Sequence, residues 1–178
     1  LLLWAQEHGF SLSAVHIQGK ANCLADLLSR PDSIIQTEWT LVHHALLPVW
    51  EKFGKPHIDL FATRFSARLP TFVSPVPDPR AWAVDAMELD WSGLEVYAFP
   101  PLPLIQAVLS KWTRDLPRMI LIAPDWPAQG WYPSLSQAAS DRLPLSLGQR
   151  DLVQPRSGIA HGNVAMLNLT AWLLSPPP

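Results

Sequence analysis

The chain has one cysteine, Cys23, in 178 residues, so no internal disulfide can form and the fold must rest on burial, as is usual in a reducing compartment. Charge is scarce as well: Asp, Glu, Lys and Arg make up 16%, against roughly 25% in an average globular domain. No basic excess is present, because 13 Lys and Arg face 15 Asp and Glu for a net charge of -2. An autonomous nucleic-acid binder carries a positive field that displaces counterions; here neighbouring domains must supply most of any such binding. Long apolar runs are missing too. Leu1-Leu2-Leu3-Trp4 has no basic residue before it and soon meets Gln6, Glu7 and His8, so it is neither a good signal peptide nor a membrane span, and an intracellular location is expected.

What is abundant is apolar residues, 48%, and proline, 19 residues. The first implies a real core; the second limits regular elements to short pieces joined by turns and excludes long helical bundles. Neither Leu1 nor Pro176-Pro177-Pro178 reads as a designed terminus, and both ends are taken as cuts.

Along the chain, Ser13 to Ile17 reads as a strand, Gly19 as a turn, and Asn22 as the start of a helix through Leu28. Pro31 and Asp32 end that unit near Arg30. Residues 31–54 read as a connector whose helix starts at Pro48, where the missing N–H is harmless, and closes at Gly54. Four apolar runs bounded by Gly, Pro or Asp then read as strands: His57 to Phe61, Thr71 to Ser74, Val96 to Phe99 and Met119 to Ala123. Leu104, Ile105, Val108, Leu109 and Trp112 form one helical face between the last two, which is the pattern of a parallel crossover. The expectation is a small Rossmann-like α/β domain with a mostly parallel sheet over residues 55–147. A last helix is placed at Ser134 to Ser140, and residues 148–178 read as a linker with an extended ending.

His16-Ile17-Gln18-Gly19-Lys20-Ala21-Asn22-Cys23-Leu24-Ala25-Asp26-Leu27-Leu28-Ser29-Arg30 resembles the closing segment of the ribonuclease H domain in retroelement polymerases. The resemblance implies that residues 1–30 are the incomplete strand-helix tail of that domain. Asp26 would be the last of the carboxylates that hold Mg, His16 would lie beside the cleft, and Asn22 would cap the helix presenting Asp26. One carboxylate cannot hold Mg, and the others are expected upstream.

His57-Ile58-Asp59-Leu60-Phe61-Ala62 resembles the first strand of methyltransferases that bind S-adenosylmethionine, with Thr63 where their glycine allows close backbone approach. Val96-Tyr97-Ala98-Phe99-Pro100-Pro101-Leu102 is similar to the Asp-Pro-Pro-Tyr strand end of adenine amino methyltransferases, but Phe99 replaces the polar residue and Leu102 the aromatic one. The resemblance implies cofactor contacts at Asp59, Phe61, Asp78, Asp85, Phe99, Pro100 and Pro101, and the substitutions imply that catalysis is lost. Taken together, Asp59 to Arg64, Asp90-Trp91-Ser92, Phe99-Pro100-Pro101, Ala123 to Pro127 and Trp131-Tyr132-Pro133 resemble the segment that DIRS-like, tyrosine-recombinase retrotransposons place between ribonuclease H and recombinase.

The resulting expectation is a non-catalytic piece of a reverse transcriptase and ribonuclease H polyprotein that meets RNA–DNA hybrid or element DNA through its parent. An active adenine DNA methyltransferase and an interaction module of a host protein are the alternatives. His43 and His44 are adjacent rather than at metal-ligand spacing, and Ser134 and Ser136 lack a nucleophile elbow. Trp82, Trp91, Trp126 and Trp131 read as packing residues because few Lys and Arg interleave with them. Arg64, Arg68 and Arg80 are the local basic cluster.

Overall fold

The computed structural model describes residues 38–176; His16, Asn22 and Asp26, and with them the ribonuclease H tail and its Mg ligand, lie outside that range. Apolar residues on consecutive positions decide the architecture. In the strand Arg118–Pro124 (β6), Met119, Leu121 and Ala123 pack into one layer while Ile120 and Ile122 pack into another. A strand apolar on both faces must be covered on both faces, and parallel sheets are the usual result.

The seven-stranded sheet is built from Ile58–Asp59 (β2), Thr71–Ser74 (β3), Ala83–Val84 (β4), Glu95–Ala98 (β5), β6, Ala139–Pro144 (β7) and Leu169–Leu174 (β9). Its spatial order is β4-β3-β2-β5-β6-β9-β7. The first five strands run parallel, whereas β9 is antiparallel to both β6 and β7. This is the mostly parallel, Rossmann-like α/β sheet expected from the sequence. A separate two-stranded ribbon pairs Thr40–Leu41 (β1) with Leu152–Val153 (β8).

One face is covered by the helices His43–Phe53 (α1) and Val164–Leu167 (α4) together with the ribbon, through Leu41, Leu46, Val49, Trp50, Phe53, Leu152 and Val164. The other face carries Ile105–Asp115 (α2) and Tyr132–Ala138 (α3), through Ile105, Val108, Leu109, Trp112 and Leu135. The apolar face of α2 read from the sequence is the face that packs. A left-handed residue, Leu116, ends α2, with its amide on the Trp112 carbonyl at 2.8 Å.

Three expectations are corrected. Helix α1 starts at His43, five residues before Pro48, which lies inside it; Leu46, Val49, Trp50 and Phe53 bury one stripe, and that packing outweighs one lost backbone bond. The last helix is displaced to Tyr132–Ala138 and runs straight into β7. The stretch read as linker contains β8, α4 and β9, and β9 lies between β6 and β7 with Leu169, Thr170, Ala171, Trp172 and Leu174 buried. Among the described residues no helix is long and apolar enough to cross a membrane.

Candidate functional site

Successive connections from β2 lead outward through β3 to β4, while β5 leads the opposite way to β6. The order therefore reverses between β2 and β5, and in open parallel sheets ligands bind beyond the carboxyl ends of the strands at such a point. Asp59 and Tyr97 are register partners on these two strands, so the segments that follow, Leu60 to Thr63 and Phe99 to Pro101, leave the sheet side by side.

Asp59 is 2% exposed. Its Oδ2 accepts the Arg68 amide at 2.9 Å, while Oδ1 has no partner. Burial pushes its pKa up from 3.8 to about 7, against the opposing pull of the Arg68 and Phe61 amides. Tyr97, also buried, has an unpartnered hydroxyl, and burial with the Asp59 charge beside it lifts the phenol well above its usual range. Trp50 of α1 packs edge-on to Tyr97 at 5.3 Å between centroids, and its indole N–H likewise has no partner.

The turn after β2 is closed by a residue from far upstream. Glu38 accepts the Thr63 hydroxyl at 3.1 Å, the Thr63 amide at 3.3 Å and the Ser66 hydroxyl. Ser66 in turn accepts the Thr63 amide at 2.9 Å, and Thr63 Oγ1 accepts the Phe65 amide at 3.2 Å. Thr40 of β1 adds a bond from its hydroxyl to the Ser66 carbonyl at 3.0 Å. No local motif announced Glu38, since 25 residues separate it from Thr63.

The remaining expected contacts scatter along this rim. Asp78, after β3, pairs with Arg64 Nε at 2.7 Å and accepts the Arg80 amide at 2.9 Å; that amide, with Arg64 adding, holds its carboxyl below the usual range. Asp85, after β4, takes a left-handed backbone, φ 58°, and its side chain accepts the Met87 amide at 2.9 Å. Phe61 packs into the layer of α2 and Phe99 into the layer of α1, so the two rings face away from each other. Pro100 is buried and Pro101 exposed.

An adenosyl cofactor needs free donors and close backbone approach at the turn after β2. Glu38 already holds these donors, Thr63 carries a Cβ where approach is needed, and Asp78 is committed to Arg64. Binding of S-adenosylmethionine at this turn would have to displace these bonds. Phe99 has no polar atom to accept an amino hydrogen. Two cavities of about 240 and 340 Å³ border α3, one against α2 at Leu109 and Thr113, the other beside Arg142 and Trp172; neither reaches this rim. His44 pairs with Asp151 at 2.8 Å, and among the described residues no cluster of three or more His, Cys, Asp or Glu is arranged to hold a metal.

No family model matches the chain, and no curated protein matches it. Among solved structures, the chain is similar to the 1,6-didemethyltoxoflavin-N1-methyltransferase of Burkholderia thailandensis, solved with 1,6-didemethyltoxoflavin and S-adenosylhomocysteine bound. The identity is 12%, 94% of each chain is covered and the TM-score is 0.46.

Proposed function

We propose that this chain is part of a DIRS-like retroelement polyprotein and that its α/β unit is a methyltransferase-like module which no longer transfers methyl groups and faces nucleic acid within the parent assembly. The observation that carries the loss of catalysis is Glu38, whose carboxylate takes up the Thr63 amide and the Thr63 and Ser66 hydroxyls at the end of β2. Phe99 in the polar position agrees with it. The retroelement origin draws its support from the motif between His16 and Arg30.

A second reading, an active S-adenosylmethionine-dependent adenine DNA methyltransferase, is favoured by the strand order that reverses between β2 and β5, with Asp59 ending β2, Asp78 after β3 and Asp85 after β4. Calorimetric titration with S-adenosylmethionine separates the two. The first predicts no binding up to about 1 mM cofactor, a free-energy gain weaker than about 4 kcal/mol. Saturable micromolar binding by the wild-type chain rejects it in favour of the second.

A further inference from the structure

We propose that the turn after β2 presents a docking surface for single-stranded nucleic acid, with Phe65 as the stacking platform and Arg156 and Arg80 as phosphate contacts. The proposal rests on the reading of a nucleic-acid-facing module and names the face. Phe65 is a large apolar side chain left 47% exposed at the tip of a turn that is otherwise tied down. Its amide is held by Thr63 Oγ1, its neighbour Ser66 is buried and bonded to Glu38, and Arg68 reaches back to the Ser66 carbonyl at 2.8 Å. The ring is therefore held out by a fixed backbone, which keeps the ordering cost of a stacking contact low.

Two guanidinium groups meet this ring, one from its neighbour in sequence and one from a distant loop. Arg156, from the loop after β8, lies 4.8 Å from its centroid and Arg64 lies 5.9 Å away. An exposed aromatic interleaved with cations is the arrangement that binds unpaired strands, because every base offers a π-face and every nucleotide a phosphate. Duplex DNA fits less well, since its bases are already stacked on one another. The cations differ in availability. Arg64 is paired with Asp78 and Arg68 is turned inward, whereas Arg156 and Arg80 are exposed and make no ion pair with an acidic side chain among the described residues. Glu38 adds little repulsion at the surface because its carboxylate points into the turn. Of the Trp residues read from the sequence as packing residues, Trp91 and Trp131 are buried, whereas Trp82 is 54% exposed.

The test is fluorescence anisotropy of a labelled oligothymidylate of about 12 nucleotides against the full chain, with a duplex of equal length as competitor, at salt concentrations from about 20 to 200 mM. Wild type is expected to prefer the single strand. Phe65→Ala should weaken binding roughly five- to a hundredfold, the range for loss of one stacked base, and Phe65→Leu should weaken it nearly as much, which separates stacking from bulk. Arg156→Gln should reduce the slope of log affinity on log salt by about 0.7, as for one phosphate contact to a single strand. Arg114→Gln, an exposed cation in the last turn of α2, is the control and should change neither. The proposal is overturned if wild type does not bind at low salt, if duplex competes better than single strand, or if Phe65→Ala and Arg114→Gln behave alike. Cofactor titration reports separately on the loss of catalysis, so either idea can fail while the other stands.

Discussion

Asp59 and Tyr97 stand side by side on adjacent parallel strands, both almost fully buried, and each keeps one polar atom without a hydrogen-bond partner. A buried polar group left unpaired costs about 1 to 3 kcal/mol, so this pair opposes the packing around it. Its position at the point where strand order reverses makes the centre of the site a place of stored instability.

The first prediction concerns pH. The folded-state pKa of Asp59 is raised from 3.8 to about 7 by burial, so the native chain binds a proton more readily than the unfolded one. Below pH 3.8 both states are protonated and the group has no effect. As pH rises from there through about 7 the unfolded state is increasingly favoured, and above that the penalty is complete. Its full size is on the order of 4 kcal/mol. Asp59→Asn keeps an acceptor for the Arg68 amide and should be more stable than wild type, by a margin that grows between pH 5 and pH 8. Urea unfolding at several pH values measures it; a margin that shrinks with pH contradicts the assignment.

Tyr97→Phe removes the second orphan without opening a cavity, because the ring contact with Trp50 stays. It should be neutral or stabilising by about 1 kcal/mol, an unusual result for a residue 1% exposed. A loss of more than about 2 kcal/mol in thermal or urea unfolding would mean that the hydroxyl has a partner after all.

Much of the fold was legible because burial on both faces writes itself into continuous apolar runs. Thr71 to Ser74 coincides with β3, and the runs at Val96 and Met119 fall within one residue of β5 and β6. Two-residue strands such as β1 and β8 lie below the resolution of any periodicity. β9 was missed for a different reason: Leu169 to Leu174 is apolar, but nothing local says that this run passes β7 in space to insert beside β6. At the site, Asp59 and the Phe99 segment were named through the resemblance to methyltransferase strand ends, and they fall at the ends of the adjacent strands β2 and β5. Glu38 did not, because a bond across 25 residues leaves no spacing signal.

Glu38→Ala leaves the Thr63 amide and two hydroxyls to find other partners. Partial exposure of the turn lets water take some of these bonds, so the cost should be about 1 to 3 kcal/mol. Faster amide exchange at Thr63 and Phe65, with β6 unaffected, is the expected signature by hydrogen exchange. Unchanged exchange at Thr63 would show that Glu38 does not hold the turn.

Lys111 and Asp115 form a shielded pair at 2.7 Å on α2, with the ammonium 4.9 Å from the Trp91 ring centroid. Burial works against ionised Asp115, yet Lys111 and the Trp91 amide hold its carboxyl below the usual range. Removing one partner of such a pair costs about 3 to 5 kcal/mol. Asp115→Ala should be the worse of the two, since it also strips the Trp91 amide of its acceptor at 3.1 Å, whereas Lys111→Met keeps that bond and packs its chain on the indole. Equal losses in urea unfolding would place the whole effect in the ion pair.

The last prediction follows from β9. A chain ending at Leu147 retains all five parallel strands, both helices of one layer and α1, and by the domain limits read from sequence it is the complete unit. The sheet says otherwise. β6 would lose its antiparallel partner along all of Met119 to Pro124, and β7 would lose its only strand neighbour among the described residues. Trp172, 1% exposed and donating its indole N–H to the Ala123 carbonyl at 3.2 Å, would leave a gap in the layer of α2 and α3. The central apolar strand would become an open edge, the arrangement that recruits other chains. The shortened chain should therefore aggregate and show no cooperative urea transition, while removing only Pro176, Pro177 and Pro178 should leave size-exclusion profile and unfolding midpoint unchanged. A monomeric, cooperatively folding product ending at Leu147 would demand a different sheet, with β6 at a protected edge and the final apolar run outside the core.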